Sequence, residues 1–212
     1  MEKPHVVIIG GGFGGLNAAK EFEYSNVRVT IIDRQNHHLF QPLLYQVATA
    51  GLAAPDVAAP IRKVLRDLEN TTVLMDEVRG FDLDQKLVIT ASDEIAYDYL
   101  IVAAGMRTHY FGNDDWESIA PGLKTLDDAM RIRRQMLLAY EAAERETDPA
   151  RQEQWLTFVV IGGGATGVEM AGALSEIASR TMARNFRNFE PRSARVYLME
   201  GGPTVLAGMP AE

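Results

Sequence analysis

Two glycine-rich turns constrain this chain more than any other feature. The first follows His5-Val6-Val7-Ile8-Ile9 and reads Gly10-Gly11-Gly12-Phe13-Gly14-Gly15. The second follows Thr157-Phe158-Val159-Val160-Ile161 and reads Gly162-Gly163-Gly164-Ala165-Thr166-Gly167, 152 positions further on. Each places G-x-G-x-x-G between an apolar strand pattern and a helical pattern, the context a dinucleotide-binding turn requires. The first glycine allows a tight turn, the second leaves room for a pyrophosphate, and the third lets the helix pack close to the strand. N–H groups at the helix start then face an anion, aided by the helix dipole. One such motif is a weak signal, because a glycine-rich loop is often only a loop. Two of them predict two dinucleotides on one polypeptide, with electron transfer between them as the natural chemistry.

Acids stand where a ribose would need them. Asp33 ends the strand expected over 27–32, and Glu200 ends the strand Arg195–Met199. Either carboxylate can accept hydrogen bonds from ribose hydroxyls. Glu200 would also repel a 2′-phosphate, which favours NADH over NADPH. The bland alternative in each case is a surface acid at a strand end.

Composition narrows the field. The net charge of −8 disfavours a nucleic-acid binder, which needs clustered Lys and Arg to neutralise phosphates. Cysteine is absent, so disulfides, thiolate metal sites and cysteine nucleophiles are excluded within these residues. No signal-peptide pattern opens the chain and no apolar run is long enough to span a bilayer, so the plain expectation is a cytoplasmic protein. His37-His38 is not read as a metal pair, since adjacent side chains project differently and no third ligand is suggested.

Between the fingerprints, 14–24 reads as a helix with Leu16, Ala19 and Phe22 inward. Residues 36–51 form a long apolar, amide-bearing loop. It suits the wall of a flat ring system, although the residues alone favour a packed connector. A helix is expected over 55–68, with Val57, Ile61, Val64, Leu65 and Leu68 on one side. Strands follow at 72–75, 78–81 and 87–90, with Asp82 and Asp84 in a turn. Residues 97–105 read as another buried strand, ending in small residues that let a ligand lie close to the backbone. Pro121-Gly122 looks like a hinge, and Thr125 with Asp128 resembles a capping box. Met130 and Met136 read as core. A helix from Ala165 should run to about 178. The expected fold is α/β with two Rossmann-like dinucleotide-binding units: 1–120 for the first and 121–212 for the second. With only two evident sheet strands, the second is C-terminally incomplete, as in an N-terminal portion of a longer protein.

The chain resembles the type II NADH:quinone oxidoreductases, or alternative NADH dehydrogenases. The resemblance is carried by 36–51, by 97–105, by His109-Tyr110-Phe111-Gly112-Asn113-Asp114-Asp115-Trp116 and by 155–174. It implies the two-dinucleotide flavoprotein reductase fold, with FAD on the first unit and NADH on the second. For FAD it implies Gly10, Gly12, Phe13, Gly14, Gly15, Asp33, Arg34, Pro42, a backbone contact from Val78, and Ala104 and Gly105. For NADH it implies Gly162, Gly164, Thr166, Gly167 and Glu200. It assigns Glu169 to electron or proton transfer toward quinone; a helix-start glutamate favoured by the macrodipole is the alternative. Two departures stand out. The flavin-ribose acid is often Glu in related reductases, whereas Asp33 is one carbon shorter. The usual small-Thr-Gly turn reads Ala103-Ala104-Gly105. The resemblance further implies a membrane quinone as partner, a respiratory role without proton pumping, and peripheral attachment to the inner face of the cell membrane through a region beyond residue 212. A homodimer stays open. The rival enzymatic reading is an NADH-dependent reductase of a small iron–sulfur protein; the rival from another class is a noncatalytic nucleotide-binding module.

Overall fold

The computed structural model describes residues 3–209. In chain order it contains β1 (His5–Ile9), α1 (Phe13–Glu21), β2 (Arg28–Asp33), β3 (His37–Leu39), α2 (Leu44–Ala48), α3 (Ala54–Val57), β4 (Ala58–Pro60) and α4 (Ile61–Val64). There follow β5 (Thr71–Met75), β6 (Val78–Asp82), β7 (Leu87–Thr90), β8 (Glu94–Ala96), β9 (Tyr99–Val102), α5 (Leu126–Arg145), α6 (Pro149–Trp155), β10 (Thr157–Ile161), α7 (Ala165–Glu176) and β11 (Arg195–Met199). The chain packs as two compact units, Met1–Leu39 with Ala58–Arg107, and Phe40–Val57 with Thr108–Glu212.

The first unit is built on a parallel sheet ordered β5-β2-β1-β9. All five residues of β1 are buried, as expected of a parallel strand covered on both faces. Its side chains alternate between two cores. Val6 and Ile8 join Leu16, Ala19, Val29, Ile31, Ile61, Leu65 and Leu68 on one face. Val7 and Ile9 join Ile32 and Val88 on the other, beneath an antiparallel meander of β6, β7 and β8. Each such aliphatic side chain taken out of water contributes about 1.5–3 kcal/mol.

His5 fastens the meander to the sheet. Its Nδ1 lies 2.7 Å from the Ala96 carbonyl, which can only accept, so Nδ1 carries the proton. Its Nε2 then accepts from the Thr30 hydroxyl at 2.8 Å.

The second unit holds a two-stranded parallel sheet of β10 and β11, with Ile161 opposite Met199. Helix α5 begins with a complete capping box: Thr125 Oγ1 accepts the Asp128 N–H, and Asp128 accepts the Thr125 N–H. Its buried face is Ala129, Met136, Tyr140 and Ala143. Tyr140 lies among the rings of Phe158, Phe186 and Phe189. Burial pushes its phenol up to about 12, and its hydroxyl has no hydrogen-bond partner among the described residues. Gly122 sits so close to Thr108 that a Cβ there would strike its side chain.

Several expectations need correction. The helix over 55–68 is broken at Pro60, which ends β4; β4 pairs antiparallel with β3 before α4 begins. A proline inside a helix removes a donor and biases its predecessor toward extended backbone. The loop over 36–51 contains β3, a 3₁₀ turn at Gln41–Leu43 and α2, whose Leu44, Val47 and Ala48 are buried. The expected strand over 97–105 is only Tyr99–Val102, and it is not buried: it lies at the end of the sheet order, with Tyr99 64% and Val102 61% exposed. Met130 faces solvent, while Met136 is core. Helix α7 stops at Glu176 and passes into a π-helical turn, Ile177–Thr181. Among the described residues, no helix is long and apolar enough to cross a membrane.

Candidate functional site

The two glycine turns adopt the same conformation. Gly10 has φ +102° and Gly162 φ +107°, values open to glycine and costly for other residues. The Gly10 N–H donates to the Ile32 carbonyl at 2.8 Å, and the Gly162 N–H to the Met199 carbonyl at 2.8 Å. A Cβ on Gly15 would collide with the Gly10 carbonyl, and one on Gly167 with the Gly162 carbonyl. Close approach of helix to strand thus requires the third glycine in both turns.

Gly12 caps α1 and Gly164 caps α7, both with extended backbone and neither with a side-chain cap. No heavy atom lies within 4 Å of where their Cβ atoms would stand. The first turn of each helix carries no acid. Open space and the positive end of a dipole therefore coincide at each helix start, which fits a diphosphate there.

The strand-end acids are matched as well. Asp33 Oδ2 accepts the Gly11 N–H at 2.6 Å, and Oδ1 accepts the Gln35 N–H at 2.7 Å. Glu200 Oε2 accepts the Gly163 N–H at 2.6 Å, and Oε1 accepts the Gly202 N–H at 2.7 Å. Each carboxylate oxygen keeps a lone pair for a further donor. The N–H groups of Gly202 and then Gly163 hold the Glu200 carboxyl below its usual range. The shorter Asp33 makes the same pair of contacts as Glu200.

The remaining predicted residues fall in several places. Phe13 opens α1 and is exposed, and Gly14 lies 3.4 Å, at its Cβ position, from the Ala103 side chain. Ala103 also abuts Gly10, so the end of β9 closes the first turn. Ala104 and Gly105 follow, both exposed, Gly105 with φ +70°. Arg34 is exposed beyond β2. Val78 starts β6 and packs on the second core; the Asp76 N–H, two residues before it, donates to the Asp33 carbonyl. Pro42 lies in the 3₁₀ turn of the second compact unit. Thr166 is exposed in the first turn of α7. Glu169 is exposed one turn further on, outside the first turn, which removes the macrodipole explanation for it.

Two participants were not anticipated. His38 Nδ1 lies 3.2 Å from the Gly11 carbonyl, and its ring meets Phe13 edge-on at 4.8 Å. The Leu206 N–H donates to the Gly163 carbonyl at 2.7 Å. His38 lies within the stretch 36–51, so attention to its polar residues would have found it; nothing near Leu206 in sequence marks it.

The family model described as pyridine nucleotide-disulphide oxidoreductase matches residues 4–212. Type II NADH:quinone oxidoreductase NdhA of Mycobacterium tuberculosis is 50% identical over 208 residues, 96% of this chain and 44% of that protein. Ndh of the same organism, also a type II NADH:quinone oxidoreductase, is 47% identical over 98% of this chain and 46% of its own length. The chain therefore spans under half the length of these curated relatives. The structure of NDH2 from Plasmodium falciparum in complex with NADH superposes with a TM-score of 0.90 at 25% identity, covering 99% of this chain and 44% of that one.

Proposed function

This chain belongs to the pyridine nucleotide-disulphide oxidoreductase family, and on that premise we propose that it serves an FAD-dependent NADH:quinone oxidoreductase, with FAD on residues 10–15 and NADH on residues 162–167. The duplicated cradle carries the reading. Two turns agree in backbone angle, strand contact, carboxylate clamp and open helix cap. Residues 1–120 form the FAD-binding portion and 121–212 the NADH-binding portion. The similarity to proteins named type II NADH:quinone oxidoreductase supports quinone as acceptor. So does the lack of cysteine: no thiol relay can operate within these residues.

Bound on residues 10–15, a flavin would supply hydride acceptance from NADH and two-electron release. The chain supplies position and electrostatics. N–H groups at the starts of α1 and α7 bind the diphosphates. Asp33 and Glu200 shape the turns through Gly11 and Gly163 and present their remaining lone pairs to ribose hydroxyls. Glu200 adds a negative charge that rejects a 2′-phosphate. Glu169, exposed on α7, serves transfer toward quinone. The protein pumps no protons and acts at the inner face of the cell membrane as a peripheral protein.

Colour is the first test. The purified protein should show a flavin spectrum that bleaches when NADH is added without oxygen. Colourless protein that binds NADH alone would leave only a nucleotide-binding module. Turnover on a soluble quinone should then exceed turnover on ferredoxin; the reverse order would replace quinone with an iron–sulfur protein.

A further inference from the structure

In both cradles the residue between the first two glycines of the motif, Gly11 or Gly163, is held at both its N–H and its carbonyl. The Gly11 N–H is bound by Asp33 and the Gly11 carbonyl faces His38 Nδ1 at 3.2 Å. The Gly163 N–H is bound by Glu200 and the Gly163 carbonyl accepts the Leu206 N–H at 2.7 Å. The second contact is main chain. The first is a side chain, and it can be removed by substitution.

Geometry makes this contact relevant to the anion. The Gly11 carbonyl and the Gly12 N–H belong to one planar trans peptide and point in opposite directions. Fixing the carbonyl therefore fixes the N–H. Gly12 is the α1 cap with open space around its Cβ position. A carbonyl only accepts, so His38 meets it with Nδ1 protonated. The His38 backbone pairs with Ala59 across β3 and β4, and Phe13 meets the ring edge-on.

We propose that His38 is a positioning residue of the first cradle, holding the Gly11–Gly12 peptide so that the Gly12 N–H stays directed at the diphosphate of the bound dinucleotide. Leu206 does the same work in the second cradle through its backbone, so only the first cradle depends on a side chain for this contact. The identity of the dinucleotide as FAD rests on the function proposed above; the pinned peptide does not.

The test compares the 212-residue chain with His38→Leu and His38→Asn. Asn places an amide N–H near the position of Nδ1, while Leu has no donor. The ligand-free reading is the Gly11 carbonyl carbon resonance. It should move in the Leu variant and return toward its original position in the Asn variant, with the Gly163 resonance unchanged in both. The ligand reading is flavin release. Loss of one hydrogen bond should speed it about threefold to tenfold in the Leu variant, with partial rescue by Asn and no change in NADH affinity. An unmoved Gly11 resonance, or release equally fast in all three proteins, would overturn the proposal. So would equal weakening of both cradles, which would signify general loosening. If the unsubstituted chain retains no flavin but the Gly11 resonance responds, the FAD assignment fails and the pinned peptide stands.

Discussion

Glu200 and Gly163, 37 residues apart, are joined by a 2.6 Å hydrogen bond from the glycine N–H to the carboxylate. Asp33 and Gly11 repeat the bond at 2.6 Å across 22 residues. An acid at the end of the second strand thus acts first on its own turn, before any ribose is considered.

Replacing Glu200 by Gln should therefore have two effects. NADH binding weakens by about threefold to tenfold through the turn and the ribose contact. Discrimination against NADPH relaxes because the repelling charge is gone. Paired NADH and NADPH titrations measure both, and an unaltered preference would remove Glu200 as the specificity residue. The Glu200 carboxyl titrates below its ordinary 4.5, so its contribution is complete above pH 4.5 and is lost as pH falls through the lowered value.

Gly12 and Gly15 should separate binding from folding. Gly12→Ala meets no atom and keeps a permitted φ of −75°, so the fold survives while the methyl occupies diphosphate space. Flavin content should fall with little change in the urea midpoint. Gly15→Ala drives a methyl into the Gly10 carbonyl and should cost about 1–3 kcal/mol of stability.

His5 predicts acid sensitivity. Burial holds its imidazole below the ordinary 6.5, outweighing the Ala96 contact that raises it. The unfolded chain then binds a proton before the folded one does. Stability should be full above pH 6.5 and fall as pH drops through the lowered value. Thermal melts from pH 7.5 to 5 should show that loss, and His5→Gln should flatten that part of the curve.

Tyr140 buries a hydroxyl that has no hydrogen-bond partner among the described residues. Tyr140→Phe removes the desolvated group while keeping the ring among Phe158, Phe186 and Phe189, so it should raise stability by about 1 kcal/mol. A higher melting temperature is expected; a lower one would mean that the hydroxyl has a stabilising partner.

Glu169→Gln should slow quinone reduction by at least about tenfold with NADH affinity unchanged, if its carboxyl moves a proton. Equal turnover in the two proteins would end that assignment.

The turns were readable in advance because glycine is required by geometry confined to a few residues: a positive φ at Gly10 and Gly162, and a collision at Gly15 and Gly167. The capping box at Thr125 and Asp128 was readable for the same reason, its partners being three residues apart. Pro60 marks the break in the sequence, yet the apolar spacing from Val57 to Leu68 continues through it and imitates one helix.

Tertiary structure decided the rest. Tyr99 and Val102 look like core residues, yet their exposure depends on which strands flank β9, not on their own chemistry. His38 and Leu206 serve equivalent carbonyls with unrelated groups. A backbone donor can belong to almost any residue, so sequence carries no mark of it, and His38 reaches Gly11 only because β3 folds back beside the first turn. Local backbone demands are written in neighbouring residues; which distant donor meets them is settled by packing.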